Sequence, residues 1–595
     1  MTELFEAVDR HDRRLVRSAT GLLATFNRAG VLEAADVHVA ARLGELVGES
    51  DDTVLLAVAL AVRAVRRGSV CVDLAEVVAQ EADPGSVAAE LPWPSPAGWL
   101  DRIGASPLRA SSVVEVEGGL LYLDRYWREE GQVRDDLVAR AAQPPPVVDA
   151  EVLDAGARRI FPDGYSEQRA AAEAAAHRWT TVLTGGPGTG KTTAVAGLLS
   201  LLAEQAPAER PPRVALTAPT GKAAARLQEA VAEAAGAMPA QDRDRLGELS
   251  ASTLHRLLGW RPQHRTRFRH HRDNRLPHDI VVVDETSMVS LTMMARLVEA
   301  IRPDARLVLV GDPDQLASVE AGAVLADLVA GLGSRDPDSV VALRTSHRFG
   351  AGIGELATAV RDGDDETAWT LLREGGDEVE LVDAEDPAAA ELVRGVALGA
   401  ALEVRAAAES GDAVSAATAL DRHRLLCAHR DGPFGAAHWN RQVERWLGET
   451  LGVPVGAARG REWYVGRPLL VTANDYGLGL FNGDTGVVIH DDDAPHGLSA
   501  AISAVGEPLR FATSRLADVE TLHAMTVHKS QGSQAVEVTV LLPAEDSRLL
   551  SRELFYTAIT RAQHKVRVVG TEATIRAAVT RRAQRASGLR QRLAE

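Results

Sequence analysis

The segment Gly185–Thr192, with the sequence GGPGTGKT, carries the clearest chemical signal in the chain. It follows a β-type apolar run that ends at Thr184, and it opens a helix-type run from Thr193. In that setting a G-x-x-x-x-G-K-[ST] loop binds nucleotide phosphates, because its backbone N–H groups converge at a helix N-terminus. Lys191 would reach the β- and γ-phosphates, and the Thr192 hydroxyl would hold Mg²⁺. The alternative, a glycine turn followed by a chance Lys-Thr, does not account for the flanking elements.

Two adjacent carboxylates end another apolar run. Ile280–Val283 reads as a buried strand, and Asp284 and Glu285 follow it directly. Asp284 would hold Mg²⁺, while Glu285 would act as the general base that orients or deprotonates the attacking water. The alternative is an acidic pair that only caps the strand. Together with the phosphate loop, the pair predicts hydrolysis of a nucleoside triphosphate.

An amide and two arginines could complete this chemistry. The strand Leu307–Val310 leads to Gln315, whose amide could contact the γ-phosphate and report its loss to the rest of the protein. Arg348 and Arg561 could neutralise charge on the transferred phosphoryl group. Spacing alone does not separate these two arginines from ordinary surface arginines.

Length and charge bound the class of protein. A chain of 595 residues is too long for one core and predicts several domains. Its 65 basic and 83 acidic side chains give a net charge of −18, which argues against coating a polyanion but allows a basic groove. Cys71 and Cys427 lie in apolar runs and are predicted to be buried free thiols. The N-terminus has no apolar signal core, and the apolar stretch Val54–Val65 is too short for a bilayer, so we expect a cytoplasmic protein.

The chain divides into a helical module and two sheet domains. Residues 1–145 show apolar residues at helix spacing and a β-like patch over Val113–Leu123. Residues 146–345 alternate strands and helices, as in a parallel sheet covered on both faces, with a basic insertion at about 261–276. The predicted strands of this domain are Thr180–Thr184, Val214–Ala218, Ile280–Val283 and Arg306–Val310.

The second sheet domain is predicted over residues 346–595, and a second strand–helix alternation runs from Leu425 to about Gly570. Residues 362–420 are predicted to form amphipathic helices, and Val536–Leu542 and Val566–Val569 are predicted strands. A turn-rich β insertion occupies about 455–514. The expected fold class is α/β, with two parallel-sheet domains preceded by the helical module.

Further short segments follow the phosphate loop in a fixed order. They are Thr217–Leu227, Thr253–Gly259, Asp284–Met288, Val310–Gln315, Val471–Tyr476, Phe481–Gly486, Thr526–Gln534 and Tyr556–Ala562. In this order they resemble the motifs of superfamily 1 DNA helicases, and most closely those of the RecD family, the alpha subunits of RecBCD-type helicase–nucleases (exonuclease V). The resemblance covers about residues 160–570 and is looser over the first 140. It implies two RecA-like motor domains, an SH3-like insertion in the second, and an N-terminal docking domain.

The resemblance also implies residue roles. Gln168 matches the glutamine that reads adenine, Gln315 the γ-phosphate sensor, and Arg348 and Arg561 the two arginine fingers. The predicted nucleotide-binding residues are Gln168, Gly185, Gly186, Pro187, Gly188, Thr189, Gly190, Lys191, Thr192 and Thr193. The predicted DNA-binding residues are Pro219, Thr220, Thr253, His255, Asn474, Thr526, His528 and Lys529. Trp260, Tyr476 and Phe481 are candidate stacking rings, and each also fits a core position.

The family resemblance implies an ATP- and Mg²⁺-dependent 5′-to-3′ DNA helicase that works with RecB-like and RecC-like subunits on single-stranded DNA at duplex ends. The sequence offers no spaced carboxylate–lysine nuclease centre, so exonuclease activity is expected in a partner chain. Two alternatives stay open. One is a regulatory ATPase subunit that gates a partner helicase–nuclease, and the other is a P-loop ATPase that acts on RNA or protein.

Overall fold

The computed structural model describes residues 12, 14–81, 87–207, 210–261, 264–345, 350–456, 462–475, 477–503 and 507–595. The N-terminal part is mainly helical, as predicted, and the β-like patch forms a hairpin within a three-stranded antiparallel sheet of order β1-β3-β2. Its elements are α1 Gly21–Arg28, α2 Ala34–Val47, α3 Asp52–Arg66, β1 Cys71–Asp73, α4 Leu74–Glu81, α5 Pro96–Gly104, α6 Pro107–Ala110, β2 Val114–Glu117, β3 Leu120–Leu123 and α7 Asp124–Ala141.

Helix α3 organises the core of this part. Asp51 caps its N-terminus, because its side chain accepts hydrogen bonds from the backbone N–H groups of Thr53 and Val54. The apolar face of α3 packs with Phe26 and Trp99, which are fully buried. The indole N–H of Trp99 donates to the carbonyl of Thr53 at 2.7 Å, which satisfies the polar atom of a buried ring.

The central part of the chain forms the first parallel sheet, with strand order β11-β4-β10-β9-β5-β6. Its elements are α8 Ala150–Ile160, α9 Ser166–Ala176, β4 Thr180–Gly185, α10 Lys191–Gln205, β5 Val214–Ala218, α11 Gly221–Gly236, α12 Ala240–Leu246, β6 Ala251–Thr253, α13 Leu254–Leu258, β7 Trp260–Arg261, β8 His264–Phe268, β9 Ile280–Val283, α14 Leu291–Ala300, β10 Arg306–Gly311, α15 Val324–Arg335 and β11 Val340–Leu343. The four predicted strands are all present.

The register of this sheet brings the chemical segments to one edge. Leu309 on β10 lies opposite Val182 on β4 and opposite Val283 on β9. The strands are parallel, so the loops that follow their carboxyl ends meet there. The phosphate loop, the acidic pair and the segment that carries Gln315 therefore share that edge.

The basic stretch near residue 261 forms the small antiparallel pair β7–β8. Arg272 donates to both carboxylate oxygens of Asp136 on α7, at 2.8 and 2.7 Å. Leu276 is fully buried. The predicted basic insertion is thus fastened to the N-terminal helices through Arg272.

The C-terminal part contains the second parallel sheet, of order β12-β21-β20-β13-β19. Its elements are α16 Ala351–Asp362, α17 Asp365–Glu374, β12 Val379–Asp383, α18 Ala389–Glu409, α19 Ala413–Arg422, β13 His423–Cys427, α20 Ala436–Leu451, β14 Pro468–Val471, β15 Thr485–His490, β16 Leu498–Ile502, β17 Leu509–Ala512, β18 Val519–Thr521, β19 Ala524–Thr526, α21 Val527–Ser530, β20 Ala535–Leu541, α22 Arg552–Ile559, β21 Ala562–Gly570, α23 Glu572–Thr580 and α24 Leu589–Ala594.

One prediction for this part is wrong. Residues 362–420 were expected to be helical, but Val379–Asp383 forms β12, the edge strand that pairs with β21. Val379 and Val382 are buried, while acidic residues surround them in sequence. Burial of this short strand is set by its partner across the sheet, which a local pattern does not reveal.

The β insertion forms a separate antiparallel sheet of order β17-β16-β15-β14-β18, which we call the insert sheet. It has its own core, including Leu469, Val488 and Ile502. The insert sheet extends to Thr521 on β18, beyond the predicted end at about residue 514. Its likeness to an SH3 domain stays a prediction.

Both cysteines, Cys71 and Cys427, are buried free thiols, as predicted. Within the described part of the chain, no helix combines the length and apolar character needed to cross a membrane.

Candidate nucleotide site and strand-binding surface

The phosphate loop joins β4 to α10 and depends on its glycines. Gly188 and Gly190 both have φ of +82°, a region that favours glycine. A Cβ on Gly190 would lie 2.8 Å from Nε2 of Gln168, and one on Gly186 would lie 3.0 Å from the Tyr556 hydroxyl. The loop therefore needs glycine both for its backbone and for the close approach of its neighbours.

Polar side chains hold the loop in this shape. Lys191 donates from Nζ to the carbonyls of Gly185, at 2.5 Å, and Gly186, at 2.9 Å. The buried Gln168 donates from Nε2 to the Thr189 carbonyl at 2.8 Å. Gln168 thus braces the phosphate loop, and its role in reading adenine stays a prediction.

The acidic pair follows β9 at the same edge. The Asp284 N–H donates to the Thr217 carbonyl at 2.9 Å. Burial raises the pKa of the Asp284 carboxyl to about 6; the charge of Glu285 adds to the rise, and the ammonium group of Lys191 opposes it. Lys191 and Asp284 thus interact electrostatically across the loop. Glu285 adopts φ of +50°, a conformation that is uncommon for a residue with a side chain and that often marks functional sites.

A hydrogen-bonded cluster, which we call the cross-domain network, joins the two parallel-sheet domains. Its members are Asp312, Gln315, Tyr556 and Arg561. Oδ2 of Asp312 accepts from Nε2 of Gln315 at 3.1 Å and from the Tyr556 hydroxyl at 3.0 Å. Arg561 donates from Nη2 to Oε1 of Gln315 at 3.1 Å. All four side chains are buried. The network links the predicted γ-phosphate sensor directly to a predicted arginine finger.

Arg561 is held in place by its own domain. It donates from Nε to the Thr557 carbonyl at 3.2 Å and from Nη1 to the Ser533 carbonyl at 3.3 Å. Burial lowers the pKa of Arg561, and the nearby charge of Glu285 opposes that shift. The guanidinium group is therefore fixed in contact with Gln315 and within electrostatic reach of Glu285.

Further hydrogen bonds close the same seam. Leu316 donates its N–H to the Thr557 hydroxyl at 2.8 Å and accepts at its carbonyl from Nε2 of Gln531 at 2.7 Å. Arg226 on α11 donates to the Gly532 carbonyl at 2.8 Å. The helicase-like segment Thr526–Gln534 thus contacts the sensor segment through the backbone of Leu316.

Sequence reasoning gave Asp312, Tyr556 and Thr557 no role of their own. Asp312 and Tyr556 both lie inside the helicase-like motifs, so the sequence pointed to their segments. It did not show that these two side chains bond to each other across the two domains. Arg348 lies outside the described residues, and its assignment stays a prediction.

The three threonines among the predicted DNA-binding residues share one structural role. Thr253 and Thr526 are the last residues of β6 and β19, and Thr220 lies just beyond β5. Their hydroxyls accept from the N–H groups of Arg256 and Lys529, both at 3.3 Å, and of Ala223 at 3.2 Å. Each one caps the helix that follows it. These hydroxyls therefore fix the helix starts.

The other predicted DNA-binding residues lie in different surroundings. Pro219 is half-buried between β5 and α11, and Asn474 is exposed, with its Oδ1 accepting from the Asn482 N–H at 2.8 Å. Burial lowers the pKa of both His255 and His528, which favours neutral imidazoles. Lys529 forms an ion pair with Glu520.

Of the three candidate stacking rings, Phe481 packs against Gly221, where a Cβ would lie only 2.5 Å from the Phe481 Cβ. This contact joins the insertion region to the first parallel-sheet domain. Trp260 lies on β7 and is half-buried. Tyr476 lies outside the described residues.

Three segments match known domain families. Residues 28–117 match the N-terminal domain of RecBCD enzyme subunit RecD, residues 164–383 match an AAA domain, and residues 521–569 match the UvrD-like helicase C-terminal domain. Among solved structures, Bacteroides Pif1 bound to ssDNA aligns over 68% of this chain and 91% of that one, at 15% identity and a TM-score of 0.37.

Similar proteins extend over almost the whole chain. RecBCD enzyme subunit RecD of Mycobacterium tuberculosis is 60% identical over 579 residues, 97% of either chain. The subunit of the same name from Mycolicibacterium smegmatis is 61% identical over 575 residues, covering 96% of this chain and 99% of that one. The ATP-dependent RecD2 DNA helicase of Deinococcus radiodurans is 32% identical over 80% of this chain and 59% of its own length. The chain belongs to the RecD family of RecBCD enzyme subunits, within the superfamily 1 helicases.

Proposed function

We propose that this chain is an ATP-driven helicase that moves 5′ to 3′ along single-stranded DNA. It would serve as one motor subunit of a heterotrimer with RecB-like and RecC-like subunits, unwinding double-strand DNA ends for repair and degradation. The names of its relatives, RecBCD enzyme subunit RecD and ATP-dependent RecD2 DNA helicase, support this proposal. The observation that carries it is the contact of Arg561, from one parallel-sheet domain, with Gln315 of the other.

The residues at the carboxyl edge of the first parallel sheet fit a nucleotide with Mg²⁺. The N-terminus of α10 and the glycine loop offer N–H donors for phosphates, and Lys191 offers a cation. Thr192 and Asp284 would supply two oxygen ligands, a number typical of Mg²⁺ sites in which phosphates and water complete the shell. Bound ATP would supply the phosphoryl group whose transfer to water drives movement.

Each side chain then has a defined task. Lys191 would leave the carbonyls of Gly185 and Gly186 to contact phosphate oxygens. Glu285 would accept the proton of the attacking water. Arg561 would neutralise charge that develops on the transferred group, in a site where burial strengthens that interaction.

Gln315 would couple this chemistry to movement. Its amide donates to Asp312 and accepts from Arg561, so a change at the γ-phosphate position alters the hydrogen bonds that join the two domains. Strand contacts from both domains could then grip and release alternately, which requires sequence-tolerant contacts to phosphates and bases.

Strand displacement tests this proposal. Duplexes with a single-stranded 5′ or 3′ tail are presented to the isolated chain and to the co-expressed three-subunit complex. ATP-dependent opening of the 5′-tailed duplex by the isolated chain supports the proposal. In the complex, which includes any partner motor, 5′-to-3′ unwinding must depend on Lys191. Preference of the isolated chain for the 3′ tail, or DNA degradation by that chain with Mg²⁺, contradicts the proposal.

The substitution Lys191→Ala separates the motor role from a regulatory one. For a motor, 5′-to-3′ unwinding is lost while the three subunits still assemble. If the chain only gates a partner, unwinding persists and its control alone changes. Lys565→Ala is a suitable control, because Lys565 is partly exposed and pairs with Glu380 on the far strands of the second sheet.

A further inference from the structure

The carboxylate of Glu520 joins two cations at the surface of the second parallel-sheet domain. Its Oε2 lies 3.0 Å from Nζ of Lys529, and its Oε1 lies 2.7 Å from Nη2 of Arg430. The three side chains are 40%, 34% and 67% exposed, in the order Glu520, Lys529 and Arg430. The cluster is thus reachable from solvent, and it carries one net positive charge.

The two cations come from neighbouring strand ends. Arg430 follows β13 and Lys529 lies on α21, directly after β19, and these strands pair in parallel. They therefore lie at the same carboxyl edge of the second sheet, where Thr526, the last residue of β19, caps α21. Glu520 reaches them from β18 of the insert sheet, where it lies opposite Leu470.

A carboxylate in this position makes the contacts that a phosphate would make. Both groups accept charge-assisted hydrogen bonds from lysine and arginine through oxygen atoms on one centre. Arginine suits such an anion because its planar guanidinium group presents several donors. Exposed ion pairs contribute little to stability, so fastening the insert sheet is a weak reason to hold three charged side chains together.

We propose that Arg430 and Lys529 form a subsite for a backbone phosphate of single-stranded DNA, and that Glu520 occupies this subsite as a displaceable stand-in for the phosphate. The proposal rests on the proposed function and adds two residues to it: Arg430 as a strand contact and Glu520 as a built-in competitor. Such a competitor would weaken the grip and assist release at each step. It would also keep this pair of cations from holding nucleic acid indiscriminately.

The substitution Glu520→Gln tests the competition, because it removes the charge and keeps the shape. Binding of a fluorescent oligothymidylate to the full chain is measured by anisotropy over a range of salt concentrations. We expect binding about three- to tenfold tighter at low salt, with a plot of log affinity against log salt steeper by about 0.7 for each additional phosphate that the chain neutralises. Glu45→Gln is the matched control, since Glu45 pairs with Arg42 on α2 of the N-terminal part, and both side chains are 67% exposed.

Arg430 is tested in the opposite direction. Arg430→Gln should weaken binding and make the salt plot shallower by about 0.7. In the Arg430→Gln background, Glu520→Gln should give a smaller increase in affinity than in the wild-type chain, because the two residues act on one subsite.

Two results would overturn the inference. One is a Glu520→Gln chain that binds the oligonucleotide no tighter than the Glu45→Gln control. The other is weaker binding together with a lower melting temperature, which would identify Glu520 as a fastening for the insert sheet. A wild-type chain that fails to bind single-stranded DNA would instead count against the proposed function.

Discussion

Arg561 and Gln315 meet at 3.1 Å across the seam between the two parallel-sheet domains. Gln315 is bonded in turn to Asp312, which also accepts from Tyr556. A cation and an amide that share one hydrogen bond cannot respond independently to a phosphate placed beside them. The proposed charge neutralisation and the proposed sensing of hydrolysis are therefore one coupled event.

Arg561→Lys should uncouple hydrolysis from binding. Lysine keeps the charge but cannot bond simultaneously to Thr557, Ser533 and Gln315 in the planar arrangement that arginine adopts. We expect DNA-stimulated ATP hydrolysis to fall about 10²- to 10³-fold while nucleotide affinity changes little. Steady-state hydrolysis and binding of a fluorescent ATP analogue measure the two effects. Arg422→Lys, in a surface ion pair with Glu403, is the control, and equal losses in both variants would contradict this role for Arg561.

Gly190→Ala should damage the phosphate loop itself. The alanine would be strained at φ of +82°, and its Cβ would lie 2.8 Å from Nε2 of Gln168. The strained backbone and the displaced Gln168 would misplace the N–H groups that face the phosphates, so we expect nucleotide affinity to fall at least about tenfold. Gly236→Ala on α11, where a Cβ meets no atom within 4 Å, provides the control. Unchanged nucleotide affinity in Gly190→Ala would show that the loop tolerates a different path.

Asp327 should make the stability of the chain depend on pH. Burial raises the pKa of its carboxyl to about 7; Glu130 adds to the rise, while Ser587 and Arg590 oppose it. The folded chain therefore binds a proton that the unfolded chain has already lost between about pH 4 and 7. Stability from this group is present at low pH and is lost as the pH rises through about 7.

The substitution Asp327→Asn should therefore raise the melting temperature at pH 8 and flatten its dependence between pH 5 and 8. The amide keeps the shape of the protonated carboxyl without the cost of a buried charge. Thermal unfolding followed by circular dichroism across that pH range measures the change. Asp244→Asn, at a 75%-exposed side chain, should leave the profile unaltered. A lower melting temperature for Asp327→Asn at pH 8 would show that the charged form is the stabilising one.

Much of the fold was readable because strands and their ends are local features. Val214–Ala218 and Ile280–Val283 were predicted with the bounds that they have, since a strand buried on both faces is a continuous apolar run. The phosphate loop was readable for the same reason, because its glycines, Lys191 and the flanking elements are adjacent in sequence. Features whose residues are adjacent in sequence could therefore be predicted.

The remainder depends on contacts between distant residues. The strand β12 is set by its pairing with β21, and the bond between Tyr556 and Asp312 joins positions 244 residues apart. The triad of Glu520, Lys529 and Arg430 likewise joins two strand ends and the insert sheet. The periodicity of apolar residues does not predict contacts between residues far apart in sequence. The sequence therefore identified most of the chemical groups but not the residues that they contact.

Contacts between residues far apart in sequence also hold the C-terminal helix α24 in place. Helix α24 packs on α15 of the first parallel-sheet domain and on α7 of the N-terminal part, although it follows the second sheet in sequence. Arg592 on α24 pairs with Glu117 at 2.6 Å and with the fully buried Glu130 at 3.4 Å. Its guanidinium carbon also lies 5.4 Å from the centre of the Tyr122 ring.

Arg592→Met should release this helix, because the substitution leaves the Glu130 carboxylate buried without its cation. We expect a loss of about 2–3 kcal/mol of local stability, somewhat below the range for fully buried pairs because Glu117 is half-exposed. Hydrogen exchange should then show faster exchange of the amides of α24 and of the facing part of α7. Arg590→Met, at an exposed position on the same helix, should leave these amides protected. If both variants exchange alike, the ion pairs contribute nothing that apolar packing of Leu589 and Leu593 does not already supply.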